Sequence, residues 1–168
     1  MKSALPLNRT SGKSMPLFLF LFLALLSACG TSKKFKATDQ ADKPLFDAIN
    51  ELNKRPGSEK AQGDLRMLYK RSQERHEAAI EAYKLSADEN RWDRILNEYG
   101  ALEHIYNSMQ AVPGTFSLVK PRSYLRESEL TRNDAAEDFY QRASALLANA
   151  TDRNGFLQAN SYYRRSGQ

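Results

Sequence analysis

Residues 65–83 read LRMLYKRSQERHEAAIEAY, and this stretch decides the fold class. Small, apolar or aromatic side chains return along it at every third or fourth position, which places them on one face of a helix. This face comprises Leu65, Leu68, Tyr69, Ser72, His76, Ala79, Ile80 and Tyr83. The opposite face carries Arg66, Lys70, Glu74 and Glu81. The spacing predicts an amphipathic helix of about 27 residues that follows a capping Ser58 and forms one arm of a hairpin.

The segments on either side of this helix show the same periodicity. A short helix is predicted over Lys43–Lys54, because Leu45, Ile49 and Leu52 fall on one helical face, and Pro56-Gly57 stops it. A long helix is predicted from about Glu89 to Gln110, since Ser86 and Glu89 have the spacing of a capping box. Its apolar stripe comprises Trp92, Ile95, Leu96, Tyr99, Leu102, Tyr106 and Met109. These two segments extend the helical prediction on both sides of residues 65–83.

The C-terminal third is also predicted to be helical. Residues 115–121 are expected to form a loop pinned by Phe116, Leu118 and Val119. A fourth helix is expected to start at Arg122 or, if Thr131 and Asp134 cap it, at Thr131, and to end at Asn149. A last helix is expected over Arg153–Arg164. No strand pattern occurs, so the predicted fold class is all-α, with antiparallel helical hairpins.

The N-terminal residues have the pattern of an export signal. Lys2, Arg9 and Lys13 precede an uncharged apolar run over residues 17–26. This run is too short to span a bilayer comfortably, since a spanning helix needs about 20 apolar residues. It has the length of the apolar region of a secretory signal peptide. Residues 1–28 are therefore predicted to be removed from the mature chain.

A lipid-attachment motif follows the apolar run. Leu26-Ser27-Ala28-Cys29, followed by Gly30, resembles the lipobox of bacterial lipoproteins. The resemblance implies cleavage between Ala28 and Cys29, a diacylglycerol thioether on the Cys29 sulfur, and an acyl chain on its new amine. It also explains how an exported chain can carry a single cysteine, which has no partner for an internal disulfide. The alternatives are a plain secretory signal or an uncleaved anchor.

The charge balance places few constraints on partners. The mature chain would hold 22 Lys and Arg against 20 Asp and Glu, and Lys33, Lys34 and Lys36 follow the cysteine closely. The body is therefore near neutral, which argues against a dedicated nucleic-acid surface. Four regions are predicted: a signal at 1–28, a lipidated cysteine with a basic tether at 29–42, a helical domain at 43–165 and a tail at 166–168. Gly30 is not an acidic retention residue, so analogy favours an outer-membrane or cell-membrane anchor with a periplasmic body.

Two weaker resemblances concern the helical body. Ala143, Leu146, Leu147 and Ala150, followed by Ala159, Tyr163 and Ser166, match the small and apolar positions of a tetratricopeptide hairpin. Residues 65–163 also resemble a loosely defined group of uncharacterised envelope lipoproteins built from long helices. Both resemblances imply a helical fold, and neither implies an activity. Generic helical hairpins remain the alternative to true repeats.

The chain offers few residues for catalysis or metal binding. His76-Glu77-Ala78-Ala79-Ile80 begins like a zinc-protease motif, but Ile80 stands where a second histidine is required. His76 lies on the apolar stripe and is expected to be a satisfied core residue, whereas His104 is expected to be solvated. No catalytic residue, metal or cofactor is assigned, apart from the lipid on Cys29. A hydrolase would need His76 to face an open pocket beside an acid.

Aromatic residues are the remaining candidates for a binding site. Trp92, Tyr99 and Tyr106 share the stripe of the third helix and either pack in the core or anchor a partner. The predicted function is a membrane-anchored, non-catalytic scaffold of the cell envelope that binds lipid through Cys29 and an unidentified protein. The alternatives are an envelope hydrolase with an unrecognised site and a structural spacer without a specific ligand.

Overall fold

A computed structural model describes residues 34–167, which form six α-helices and one 3₁₀ turn. The 3₁₀ turn, Gln40–Asp42, leads into α1. The helices are α1 (Lys43–Lys54), α2 (Glu59–Lys84), α3 (Arg91–Gln110), α4 (Thr115–Val119), α5 (Leu125–Asn149) and α6 (Arg153–Ser166). No strand occurs in this range, and the predicted all-α class is confirmed. The signal residues 1–28, the lipobox and Cys29 lie outside the described residues.

The first helix begins and ends where the sequence predicts. Pro44 occupies its first turn, where a missing N–H costs nothing. Leu45, Ile49 and Leu52 are buried on one face, as their spacing requires. They form the first core cluster together with Leu65 from α2, Ile105 and Met109 from α3, and neighbouring residues. This cluster joins the start of α2 to the end of α3.

The α2–α3 hairpin has the predicted arms but a different start to its second arm. Ser86 was expected to cap a helix at Glu89, and this prediction is wrong. The Ser86 hydroxyl instead accepts the amide of Asp88 at 3.1 Å, and Asn90 precedes the first residue of α3. The serine therefore stabilises a turn between the helices, a role that Ser plays as readily as capping.

The segment after α3 is a short helix and not the expected loop. Gly114 takes a φ of 86°, which suits glycine, and α4 follows it. Thr115 is fully buried and donates to the carbonyls of Met109 at 2.5 Å and Val112 at 2.9 Å. Leu118 and Val119 pack on the first cluster, as predicted. The local hydrogen bonds of Thr115 fold these residues into a helical turn.

Helix α5 starts between the two positions that the sequence offered. Thr131 is buried inside α5, so its predicted capping box is wrong. The Glu103 carboxylate of α3 accepts the Tyr124 amide and the Ser123 hydroxyl, both at 2.8 Å. A side chain from another helix thus fixes the start of α5, and local spacing does not reveal it.

Helix α6 returns along α5 to make the second long hairpin. Asp152 caps it by accepting the Gly155 amide at 2.8 Å. Ala135, Phe139 and Ala143 of α5 form a third core cluster with Tyr162 of α6. Helix α6 ends at Ser166, two residues beyond its predicted end. With 26, 20 and 25 residues, α2, α3 and α5 exceed half of a 34-residue tetratricopeptide unit, which favours generic hairpins.

The compact unit begins at Lys34, earlier than the domain start predicted at Lys43. Phe35 and Ala37 pack against the first cluster. The Phe35 amide donates to Asn50 Oδ1 at 2.8 Å, and the Asn50 amide returns a bond of 2.7 Å to the Phe35 carbonyl. Residues 35–42, predicted as part of a tether, are therefore docked on the helices. Within residues 34–167, no helix is long and apolar enough to cross a membrane.

Candidate functional site

An ionic cluster joins the docked N-terminal segment to both arms of the first hairpin. It comprises Asp42 from the 3₁₀ turn, Ser72, Arg75 and His76 from α2, and Glu98 from α3. Ser72, Arg75 and His76 share a helix face because they are three and four residues apart. Asp42 comes to this face because the chain reverses between α1 and α2, so that the middle of α2 lies beside the 3₁₀ turn.

Asp42 is the centre of the ionic cluster. Its carboxylate is 1% exposed and accepts bonds from Ser72, from Arg75 Nη2 at 2.8 Å and from His76 Nε2 at 2.9 Å. Arg75 also holds Asp39 through Nη1 at 2.6 Å. The other ring nitrogen of His76, Nδ1, is bonded to Glu98. Every charged group of the cluster thus has an oppositely charged partner, which burial requires.

The partners of His76 decide its protonation. Both ring nitrogens face carboxylates, which favours the imidazolium form, while Arg75 Nη2 lies 3.0 Å from Nε2 and opposes it. Burial lowers the pKa of His76, but the bonds to Asp42 and Glu98 outweigh it and raise the pKa above its usual value. Burial raises the pKa of the Asp42 carboxyl, yet bonds from His76, Ser72 and Arg75 bring it down to about 2. Asp42 is therefore ionised at neutral pH, and its hydrogen bond with His76 favours the charged form of the ring.

This arrangement differs from a nucleophilic triad in the order of its members. In a triad the histidine lies between the hydroxyl and the acid. Here the Ser72 hydroxyl donates to Asp42, and His76 lies between Asp42 and Glu98. An open groove of about 430 Å³ passes beside His76, Asp39 and Glu98, but the ring is 1% exposed and both its nitrogens are engaged. The geometry makes the cluster a clamp that fastens residues 39–42 to α2 and α3.

The prediction for His76 is confirmed, and the one for His104 is wrong. His76 is buried with its polar atoms satisfied. His104 was expected to be solvated, but its ring is half-buried and stacks on Phe46 at 5.1 Å between centroids. Its Nε2 lies 2.8 Å from the Lys36 carbonyl. The docked segment brings that carbonyl to the ring, so only the tertiary structure places the residue.

The three candidate partner-binding aromatics occupy different surroundings. Tyr99 is buried in the second core cluster, beside Ile80 and Tyr124. Trp92 is half-buried, and its Nε1 donates to Asp138 of α5 at 2.8 Å. Tyr106 is half-buried and meets Phe116 edge-on at 5.8 Å. Trp92 packs against both the second and the third core cluster, so it shares the second with Tyr99, whereas Tyr106 lies apart against Phe116. All three are therefore engaged in contacts within the described chain.

Sequence reasoning missed Asp42 and Glu98 as functional partners of His76. Asp42 lies in the segment predicted to be a tether, and no sequence motif distinguishes Glu98 from the other acids of the chain. A signal did exist, because a histidine on an apolar stripe must find a polar partner when it is buried. Its identity needed the tertiary structure, since Asp42 is 34 residues away in the chain. Within residues 34–167, no group of three or more ligating side chains could hold a metal ion.

The comparisons with known proteins add no family to these observations. The tetratricopeptide and envelope-lipoprotein resemblances stay predictions from the sequence. No protein-family model, curated protein or solved structure matches this chain.

Proposed function

We propose that this chain is a bacterial lipoprotein, anchored in the cell envelope through Cys29, whose helical body is a non-catalytic scaffold for another envelope component. The sequence Leu26-Ser27-Ala28-Cys29 after an apolar run of ten residues carries the proposal. Each part has a separate chemical purpose: the apolar run engages the export machinery, small residues admit a peptidase, and the thiol accepts lipid. The membrane is the outer membrane or the cell membrane, with the body in the periplasm.

The geometry of the body supports a scaffold role. The candidate catalytic group, His76, is fixed between two carboxylates, and the Ser72 hydroxyl is spent on Asp42. Ser72 and His76 therefore stabilise the fold, because their hydrogen bonds satisfy the buried carboxylate of Asp42. Helix pairs with exposed outer faces are the usual means by which all-α modules present a binding surface.

Metabolic labelling with a fatty acid tests the anchor. The native chain is expected to take up label and to fractionate with membranes, whereas Cys29→Ala should lose the label and move to the soluble fraction. Ser27→Thr keeps a small residue at its position and serves as the control that retains label. Persistent labelling of Cys29→Ala would contradict the lipobox reading.

Cross-linking in intact cells tests the scaffold role against that of a spacer. A partner recovered with the body at fixed stoichiometry supports a scaffold. The partner should still be recovered with Asp47→Asn, a change at an exposed ion pair. Recovery of the body without any stoichiometric protein would favour the spacer instead.

A further inference from the structure

The α5–α6 hairpin extends beyond the part of the body to which it is docked. Trp92 Nε1 bonds Asp138 of α5 at 2.8 Å, and Arg165 of α6 bonds Asp93 of α3 at 2.8 Å. Past Asp138, α5 continues for eleven residues to Asn149, a length of about 16 Å. In the described chain, the ion pairs and side-chain hydrogen bonds of residues 144–161 stay within the hairpin. We call residues 144–157 the hairpin tip.

Three large apolar side chains are exposed at the hairpin tip. Leu147 is 44% exposed on the last turns of α5, while Phe156 at 51% and Leu157 at 56% lie on the first turn of α6. They flank the same turn, Ala150–Asp152, which Asp152 closes by capping α6. Single exposed apolar residues need no explanation, but three around one projecting turn form a patch.

The net charge of residues 139–168, which include the hairpin tip, differs in sign from that of residues 37–138. Residues 139–168 contain four arginines and a single acid, Asp152, whereas residues 37–138 contain 15 basic and 19 acidic residues. Arg153 and Arg164 are exposed on α6. A groove of about 340 Å³ on the outer face of α6 is lined by Leu157, Asn160, Ser161, Arg164 and Arg165. Its polar lining can donate hydrogen bonds to an anion and includes no carboxylate.

We infer that the hairpin tip and the outer face of α6 dock together on an anionic bilayer surface, with Leu147, Phe156 and Leu157 in the headgroup region and Arg153 and Arg164 on lipid phosphates. Apolar side chains beside arginines are typical of interfacial helices, and the single acid here, Asp152, is engaged as the cap of α6. Each arginine near such a surface contributes about 1 kcal/mol, and this attraction weakens with salt.

The inference rests on the proposed function, because the anchor supplies the bilayer. The chain between Cys29 and Phe35 spans at most about 20 Å when extended. An anchored body therefore stays close to the headgroups, and a weak second contact acts at a high effective concentration.

A nitroxide attached to Leu157→Cys tests this docking in the full-length chain, purified from bacterial membranes and reconstituted in vesicles. The matched control is Leu85→Cys, since Leu85 is 90% exposed at the turn of the α2–α3 hairpin, among Glu81, Asp88 and Glu89. In vesicles of phosphatidylcholine with phosphatidylglycerol, collisions of the label at 157 with a neutral nickel chelate should fall by about threefold or more relative to 85. In pure phosphatidylcholine the difference should shrink.

Charge-reversal variants distinguish a specific role of Arg153 and Arg164 from an effect of the net charge of the protein. Arg153→Glu with Arg164→Glu should abolish the protection at position 157. Arg71→Glu with Arg132→Glu makes the same change in net charge at other exposed arginines and should leave the protection intact. Circular dichroism confirms that both double variants keep the native helix content.

Equal accessibility at positions 157 and 85 in anionic vesicles would overturn the inference. If the label at position 157 is protected and its spectrum also shows dipolar broadening from a second label, the inference is overturned in favour of contact with a second copy of the chain. If protection requires added envelope protein, it is overturned in favour of a protein partner. Failure of the proposed function gives a different result: without a lipid on its sulfur, Cys29 would be a free thiol, and the native chain would react with the nitroxide reagent there. The two positions would in that case be compared in a Cys29→Ala background.

Discussion

Asp42 holds the docked segment to the body through three donors on one helix face. Its carboxylate is 1% exposed and receives bonds from Ser72, Arg75 and His76. Removing one member of a buried ion pair leaves the others desolvated and uncompensated, which costs more than the pair itself contributes. At the scale of the residue, the ionic cluster is therefore the most sensitive point of the molecule.

The change Asp42→Asn should lower the free energy of unfolding by about 3 kcal/mol or more, because Arg75 and the His76 imidazolium would then lack their shared anion. Denaturant unfolding measures this effect. The control is Asp47→Asn, whose ion pair with Lys43 is 59% exposed on both sides and should cost about 0.5 kcal/mol or less. Equal effects of the two changes would contradict a buried charge network at Asp42.

Gly100 offers a stabilising substitution. It lies inside α3, and a Cβ built there meets nothing within 4 Å, so the close helix approach that could have explained this glycine does not occur. Gly100→Ala should raise the free energy of unfolding by about 0.5–1 kcal/mol by reducing the entropy of the unfolded chain. Gly114→Ala is the contrasting change, because φ there is +86°. It should destabilise by about 1 kcal/mol, and thermal melts of both variants measure the two effects.

At the scale of the elements, two long hairpins meet along α3. The α2–α3 hairpin is braced by α1, α4 and the ionic cluster. The α5–α6 hairpin is joined to it through Trp92 and Asp138, through Arg165 and Asp93, and through Tyr124, which precedes α5 and is buried in the second core cluster. Asp138 also pairs with Arg91 at 3.4 Å and with Arg142 at 3.0 Å. The third core cluster holds four buried residues against eleven in the first, so the second hairpin should open at a lower free energy than the first.

Trp92→Phe tests this junction. The change keeps an aromatic ring but removes the hydrogen bond to the Asp138 carboxylate, a loss of about 1.5–3 kcal/mol for a bond to a charged group. Amide exchange of α5 and α6 should accelerate, while that of α1 and the start of α2 stays unchanged. Tyr106→Phe, in the same helix but away from the junction, is the control. Uniform acceleration across all helices would contradict separate opening of the second hairpin.

At the scale of the whole molecule, the ionic cluster makes stability depend on pH in two directions. His76 has a raised pKa, so its contribution is complete below the ordinary histidine value of 6.5 and is lost as pH rises through the higher folded value. Asp42 has a pKa of about 2 against an ordinary 3.8, so its contribution is complete above 3.8 and is lost as pH falls towards 2. Both contributions are present together between about pH 4 and 6.5.

The free energy of unfolding of the native chain should therefore decrease as the pH is raised above 6.5. In His76→Gln this decrease should be reduced, although the variant is less stable at every pH because Asp42 and Glu98 lose a cationic partner. Denaturant unfolding at a series of pH values provides the measurement, and an unchanged slope in His76→Gln would show that another group controls it.

The sequence by itself determined the helical class and the positions of most helices. Apolar spacing predicted α1 to the residue, and Pro56-Gly57 marked its end because these residues break a helix regardless of context. The apolar spacing also placed His76 on a buried face, since periodicity indicates which face of a helix is apolar. These predictions succeed because they depend on interactions within about one turn of the chain.

Only the tertiary structure decided the features that join distant residues. The docking of residues 35–42, the start of α5 at a carboxylate from α3, and the pairing of His76 with Asp42 and Glu98 are all of this kind. So are the contacts of the aromatic stripe, of which Trp92 and Tyr99 share the second core cluster while Tyr106 packs on Phe116. The physical reason is that a buried charge or ring contacts whichever group the fold brings next to it. Sequence spacing predicts only neighbours within a few turns of the same helix, so it does not identify that group.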